Sequence, residues 1–173
     1  EAGADILNDI SALEDDENLT SFAAETKIPI ILMHKRGLPS TMQKDTEYSD
    51  IFSEVDAYLS ARADFAEKNG IEKHKIIIDP GIGFGKALKG NAELIRRCGE
   101  LCGGKYSVLM GLSRKSCIGQ ITGRDIADRL SGTLSAGVIS VMQGARILRV
   151  HDVKETVDSL KVLRYIYDGA DLG

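Results

Sequence analysis

Residues 76–86 read Ile76-Ile77-Ile78-Asp79-Pro80-Gly81-Ile82-Gly83-Phe84-Gly85-Lys86, and the architecture turns on this stretch. Three consecutive isoleucines specify a buried strand, Asp79 ends it, and Pro80 withdraws the backbone donor that further pairing needs. Glycines at 81, 83 and 85 then free the backbone to fold closely around a partner. A carboxylate at the C-terminal tip of a buried parallel strand stands where α/β folds gather their ligand loops. The plainer alternative is a strand-ending aspartate that caps the next turn.

On the N-terminal side, residues 4–9 form a short apolar run ending in Asn8 and Asp9, followed by a helix over 18–26 with Leu19, Phe22 and Ala23 inward. Residues 28–34 (IPIILMH) are too short and too β-rich for a helix. The polar stretch 35–50 exceeds a simple connection, so it is expected to be disordered or a mobile piece of a ligand mouth. From Asp50 a long amphipathic helix carries Ile51, Val55, Tyr58, Leu59, Phe65 and Ala66, and Asn69-Gly70 closes it.

On the C-terminal side, Asn91 is a natural N-cap for a helix whose face is Leu94, Ile95, Cys98, Leu101 and Cys102, ended by Gly103-Gly104. Residues 107–112 (SVLMGL) make a fourth strand running into Ser113, Arg114, Lys115 and Ser116. A helix over about 125–143 buries Ile126, Leu130, Leu134 and Val138, with Gly132 and Gly137 allowing close packing. Residues 145–150 form the fifth strand. Asp152 followed by Glu155 resembles a capping box for a last helix facing inward through Val157, Leu160, Leu163 and Ile166.

Five strand-then-helix units without a hairpin signal require a parallel sheet, because each return to a parallel neighbour needs a crossover. An open doubly wound sheet and a (β/α)8 barrel compete. Polar residues at every strand tip favour the barrel, whereas length favours the open sheet, since a barrel usually has about 250 residues.

Composition narrows the function. With 173 residues, 43% hydrophobic and 28% charged, the chain resembles an ordinary soluble globular domain, read as a single domain over 1–173. A net charge of −4 and 5% aromatic residues without Trp give no footprint for nucleic acid. Cys98, Cys102 and Cys117 lack metal-ligand spacing and read as reduced thiols of a cytoplasmic protein. No apolar run approaches a membrane span, and the N-terminus lacks the basic region of a signal peptide.

The strand tips divide into two kinds of chemistry. Asn8 and Asp79 can pair with the N–C–NH₂ edge of a flat aminated heterocycle. Lys115, Arg149 and His151 sit on the last two strands, where barrels often bind phosphate beside a helix N-terminus. Taken singly, Arg149 reads equally well as a structural ion pair and His151 as a hydrogen-bonded histidine. The glycine run is neither a Walker A loop nor a GxGxxG fingerprint, so no nucleotide is implied.

Together, NDI near the start, ILMH, IIIDPGIGFGK, LMGLSRKSCIG, the GTLSAGVISVMQGA helix and RVHDVKET resemble the dihydropteroate synthase family, in order and over nearly the whole chain. The resemblance implies a (β/α)8 barrel, usually a homodimer, that joins 6-hydroxymethyl-7,8-dihydropterin pyrophosphate to p-aminobenzoate with Mg²⁺. It implies pterin binding by Asn8, Met33, Asp79, Gly111 and Lys115, p-aminobenzoate bordered by Phe84, Ser113 and Lys115, and pyrophosphate held by Arg149 and His151. Asp79, Lys115, Arg149 and His151 are the expected catalytic residues, and no side-chain metal ligand is assigned. Loops that the family carries on its first strands have no counterpart, so the chain is expected to supply about the last five of eight units, with weak or no activity alone. A methyltetrahydrofolate-binding barrel of a corrinoid methyltransferase shares Asn8 and Asp79 but does not need the SRK and RVHD cations. A non-catalytic pterin-binding scaffold is the alternative from outside enzymology.

Overall fold

The computed structural model describes residues 3–37 and 46–169. Five strands, β1 (Leu7–Asp9), β2 (Ile30–Met33), β3 (Ile76–Asp79), β4 (Ser107–Met110) and β5 (Ile147–Leu148), form one sheet in the order β1-β2-β3-β4-β5. Every neighbouring pair is parallel. Among the described residues, six α-helices lie between and after them: α1 (Glu17–Thr26), α2 (Ile51–Lys68), α3 (Leu88–Arg96), α4 (Ser116–Thr122), α5 (Leu130–Met142) and α6 (Val153–Asp168).

Strand order resolves the competition between architectures. A doubly wound sheet reverses its order at a switch point, and this sheet advances in one direction throughout. That is the winding of a (β/α) barrel. Curvature is visible too. At about 4.8 Å per strand, β5 on a flat sheet would stand about 19 Å from β1, yet Arg149 just beyond β5 bonds directly to Asn8 in β1 at 2.7 Å.

The period-two pleat sorts the strand residues between two faces. Ile30, Leu32, Ile76, Ile78, Val108 and Met110 face the helices, where Val55, Leu59 and Leu94, with Leu101 from the segment after α3, complete the main core. The alternate residues Ile31, Ile77 and Leu109, with Ile147 against them, form a second small cluster on the concave face. Two positions further along each strand, that inner stripe continues as Met33, Asp79, Gly111 and Arg149. Asn8 joins it because it pairs with Ile31. The pleat that hides the isoleucines therefore delivers the tip residues to one mouth.

Several sequence expectations change. Asn91 does not cap α3, which starts at Leu88; it lies inside the helix, buried, with its side chain turned to the glycine loop. The expected face through Cys102 breaks, because Leu101, Cys102 and Gly103 leave helical geometry. The 125–143 helix is shorter, beginning at Leu130 after a 3₁₀ turn over Ile126–Asp128, and Ile126 is 64% exposed. The Asp128 N–H bonds to the Asp125 carbonyl at 2.9 Å, which closes this short turn ahead of the helix. Helix α4 was not anticipated, its seven residues being too few for a periodic signal.

Asp152 stands before α6 without a side-chain capping bond, because its carboxylate is engaged by Arg114 instead. Phe22, Phe65, Val157 and Ile166, expected inward, are exposed. Most of the polar stretch expected to be mobile, residues 38–45, lies outside the described residues.

The packing predicts a contrast. Leu59→Ala, at a fully buried position, should lower the unfolding free energy by about 2–5 kcal/mol. Ile126→Ala should change it by less than about 0.5 kcal/mol. Urea denaturation of the two variants measures both, and a large loss at Ile126 would restore the longer buried helix.

Candidate active site

The glycine loop after β3 is wired from inside. Asp79 is 1% exposed. Its Oδ1 accepts from the Gly81 N–H at 2.8 Å, while its Oδ2 accepts from Arg149 Nη2 at 3.0 Å. The turn bond and the ion pair with Arg149 thus fall to different oxygens of one carboxylate. Gly81 has φ +66°, and a Cβ there would lie 1.9 Å from the His34 carbonyl oxygen, so no side chain fits.

Two residues with no site role in the sequence reading hold this loop. Asn91 Oδ1 accepts from the Gly83 N–H at 2.8 Å, and its Nδ2 donates to the carbonyls of Lys86 and Ala87 at 3.0 and 3.1 Å. Lys86, 4% exposed, donates to the carbonyls of Gly81 and Phe84 at 3.0 Å each and of His34 at 3.4 Å. Burial pushes its ammonium down to about 7, against the pull of the Asp79 carboxylate and with some help from Lys115. The available signal was a lysine closing a glycine loop that lacked the Walker pattern. Its role is to donate to the carbonyls around the loop.

Arg149 spans the mouth. Nη1 donates to Asn8 Oδ1 at 2.7 Å and Nη2 to Asp79 Oδ2 at 3.0 Å. Gly111 makes room for it: a Cβ there would lie 2.6 Å from Arg149 Nη2. The structure therefore brings Asn8, Asp79, Gly111 and Arg149 together, joining a residue expected on the anion side with both residues expected to face a planar ring. Met33, fully buried, lies under the loop and is the nearest side chain to the space a Cβ at Gly81 would fill.

Lys115 forms a second group. Its Nζ donates to the Ile82 carbonyl and stands 4.4 Å from the centre of the Phe84 ring. Burial pushes it down to about 8, opposed by Asp79 and reinforced by Arg149. A third group lies apart from these contacts. The Ser113 hydroxyl meets the His151 backbone N–H at 3.2 Å and its Nδ1 at 2.9 Å. Beside it, Arg114 Nε donates to Asp152 Oδ2 at 3.0 Å, and that hydrogen bond draws the Asp152 carboxyl below its ordinary value.

His34, at the tip of β2, is a core residue. Its ring packs edge-on against Tyr58 at 5.0 Å, and burial takes it down to about 3, so the imidazole is neutral. Among the described residues no group of three His, Cys, Asp or Glu side chains could hold a metal.

A singly wound parallel sheet whose strand tips bring Asn8, Asp79 and Arg149 together, with the half-buried Lys115 over the Phe84 ring, has the architecture of a barrel mouth. The pterin binding enzyme family model matches residues 1–151, and the chain belongs to that family. Within it, the chain is 47% identical over 161 residues to the dihydropteroate synthase of Escherichia coli, covering 93% of this chain and 57% of that protein. A Yersinia pestis dihydropteroate synthase solved with a sulfonamide drug complex superposes with TM-score 0.91 at 37% identity, over 98% of this chain and 61% of that one. The Xanthomonas albilineans enzyme in complex with 7,8-dihydropteroate gives TM-score 0.87 at 38% identity, over 95% of this chain and 60% of its own. The chain thus spans about 57% of the length of the curated relatives it matches, and its fold is part of their (β/α)8 barrel.

The buried lysine yields a pH prediction. The folded chain releases the Lys86 proton near 7, whereas the unfolded chain keeps it to about 10.5. Between these values the unfolded state holds more protons, so this residue makes stability rise with pH. Comparing urea midpoints at pH ~6.5 and ~9.5, the parent chain should gain on Lys86→Met at the higher pH. A pH-independent difference between the two would place the Lys86 pKa at its ordinary value.

Proposed function

We propose that this chain furnishes the pterin-binding and leaving-group side of a dihydropteroate synthase. The reaction is a transfer that condenses 6-hydroxymethyl-7,8-dihydropterin pyrophosphate with p-aminobenzoate, giving 7,8-dihydropteroate and pyrophosphate. The observation that carries the reading is the seat of Arg149 on Asn8 and Asp79. A guanidinium is a planar N–C–N donor edge, and the 2-aminopyrimidine edge of a pterin offers the same pattern. What accepts one accepts the other.

In this reading the ring displaces Arg149 from Asp79 and Asn8, with Met33 and Gly111 lining its pocket and Lys115 contacting it. The released guanidinium then meets the pyrophosphate together with His151, at the N-terminus of α6. Cleavage of the carbon–oxygen bond at the pterin methylene puts positive charge into the ring and negative charge onto pyrophosphate. Asp79 stabilises the first, Arg149 and His151 the second. Phe84, Ser113 and Lys115 border the p-aminobenzoate, whose aryl amine is neutral and nucleophilic at pH 7, so positioning supplies much of the rate.

Mg²⁺ belongs in this proposal with the pyrophosphate of the substrate. Among the described residues no group of three His, Cys, Asp or Glu side chains could hold a metal. The corrinoid methyltransferase alternative leaves Lys115, Arg149 and His151 without work, and the scaffold alternative leaves the cationic tip unexplained.

A homodimer and a cytoplasmic location belong to the same proposal. Exposed Ile139, Val162 and Ile166 of α5 and α6 border an apolar groove suited to self-association. Among the described residues no helix is long and apolar enough to cross a membrane.

Calorimetric titration of the 173-residue chain with the pterin pyrophosphate tests the reading. Asp79→Asn should weaken binding about 10-fold or more, and Arg149→Gln should lose pyrophosphate affinity while binding the ring-only pterin alcohol no less tightly. An Asp79→Asn variant that binds like the parent would sink the synthase reading. Turnover by residues 1–173 alone is expected to be weak or absent in a coupled pyrophosphate-release assay, because the chain spans 57% of its relatives.

A further inference from the structure

The geometry points to Ser113 as a positioning residue that holds the His151 imidazole in its Nε2–H tautomer. The argument is one of counting donors and acceptors. Ser113 is 8% exposed, and its hydroxyl has one hydrogen to give and two lone pairs to offer. One lone pair takes the His151 backbone N–H at 3.2 Å. The hydroxyl hydrogen needs an acceptor, and among the described residues the acceptor set against it is His151 Nδ1, at 2.9 Å. A buried hydroxyl left without an acceptor carries the desolvation cost of an unmade bond, so the hydrogen goes to Nδ1. In the neutral ring the proton is then on Nε2.

The surroundings remove the competitors. Asp152, the carboxylate adjacent in sequence, would draw an Nδ1–H, but Arg114 already holds it through Nε at 3.0 Å. Ser113 itself cannot drift, because the next residue is tied from both sides. The Arg114 N–H donates to Thr133 Oγ1 at 3.0 Å, and the Arg114 carbonyl accepts from Arg129 Nη1 at 3.0 Å. Arg114 also takes a left-handed φ of 55°, which turns the chain sharply after Ser113.

The consequence rests on the synthase reading above. With the proton on Nε2, His151 offers an N–H to the departing pyrophosphate without first having to be protonated. A ring with the proton on Nδ1 would present a lone pair to the anion instead, which repels it. Toward the pyrophosphate Ser113 therefore acts through His151, while it borders p-aminobenzoate in the same reading.

The test is direct because the chain has three histidines, His34, His74 and His151. Long-range ¹H–¹⁵N correlation spectra of the labelled 173-residue chain, at a pH where the rings are neutral, distinguish the two tautomers, and loss of one set of signals in His151→Asn assigns them. The expected result is an Nε2–H tautomer for His151 in the parent and in Ser113→Thr, and a mixed population in Ser113→Ala. An Nδ1–H tautomer in the parent overturns the proposal without needing any variant to fold. So does an unchanged tautomer in Ser113→Ala. Titration with inorganic pyrophosphate separates this proposal from the reading beneath it: Ser113→Ala should bind about 3- to 10-fold more weakly. If the parent shows the Nε2–H tautomer but ignores pyrophosphate, positioning by Ser113 stands and the synthase reading fails.

Discussion

The two hydrogen bonds of Arg149 bind the molecule's geometry to its chemistry. They join a residue beyond the fifth strand to residues in the first and third, across 141 and 70 positions of sequence. Such a contact requires the sheet to curl until its outer strands face one another across a mouth. It also requires a glycine at 111, since a Cβ there would lie 2.6 Å from the guanidinium. A curved sheet, a vacant Cβ and a carboxylate at the tip of the central strand are separate features of the sequence, and this side chain uses all three.

Burial of charge follows from the same arrangement. Asp79 is almost completely enclosed, and a buried carboxylate without partners is strongly unfavourable. Here it receives a backbone N–H and a guanidinium, while Lys86 and Lys115 contribute favourable charge at longer range. The lysines lose hydration for it, which is why both are pushed down from 10.5, to about 7 and about 8. Lys86 recovers part of that loss by bonding to two carbonyls of the loop that Asp79 begins, those of Gly81 and Phe84, and to the His34 carbonyl beyond β2. The loop, the carboxylate and the lysine are thus one electrostatic unit, and the glycines are what let the carbonyls turn inward to the ammonium.

How much of this was legible depended on whether the signal was local. The apolar runs at 30–33, 76–79 and 107–110 announce buried parallel strands because period and composition act within a few residues. The tip residues Asn8, Asp79 and Arg149 were legible for the same reason, each being a polar interruption at a strand's end. Their convergence was not, because it depends on sheet curvature, which no short window of sequence encodes. Asn91 was misread since its cap-like position is a local rule, whereas its bond to Gly83 is tertiary. Asp152 failed similarly, its capping oxygen having been taken by an arginine 38 positions away. Length argued for the wrong architecture because a five-unit winding was weighed as though it had to close by itself.

On the proposed synthase reading, the position of Arg149 also bears on how a pterin site and an anion site can share one residue. Left facing solvent, Asn8 and Asp79 would bind water and pay its removal when a ring arrives; covered by a guanidinium, they keep their geometry and exchange one planar donor for another. The exchange is unfavourable for a ring alone, since it strands an arginine that had two partners. It becomes favourable when the ring carries its own anion, because the displaced guanidinium then gains charge-assisted bonds in place of those it lost. Discrimination between a pterin and its pyrophosphate ester would in this way arise at the carboxylate end of the site as well as at the phosphate end, through the movement of a single side chain.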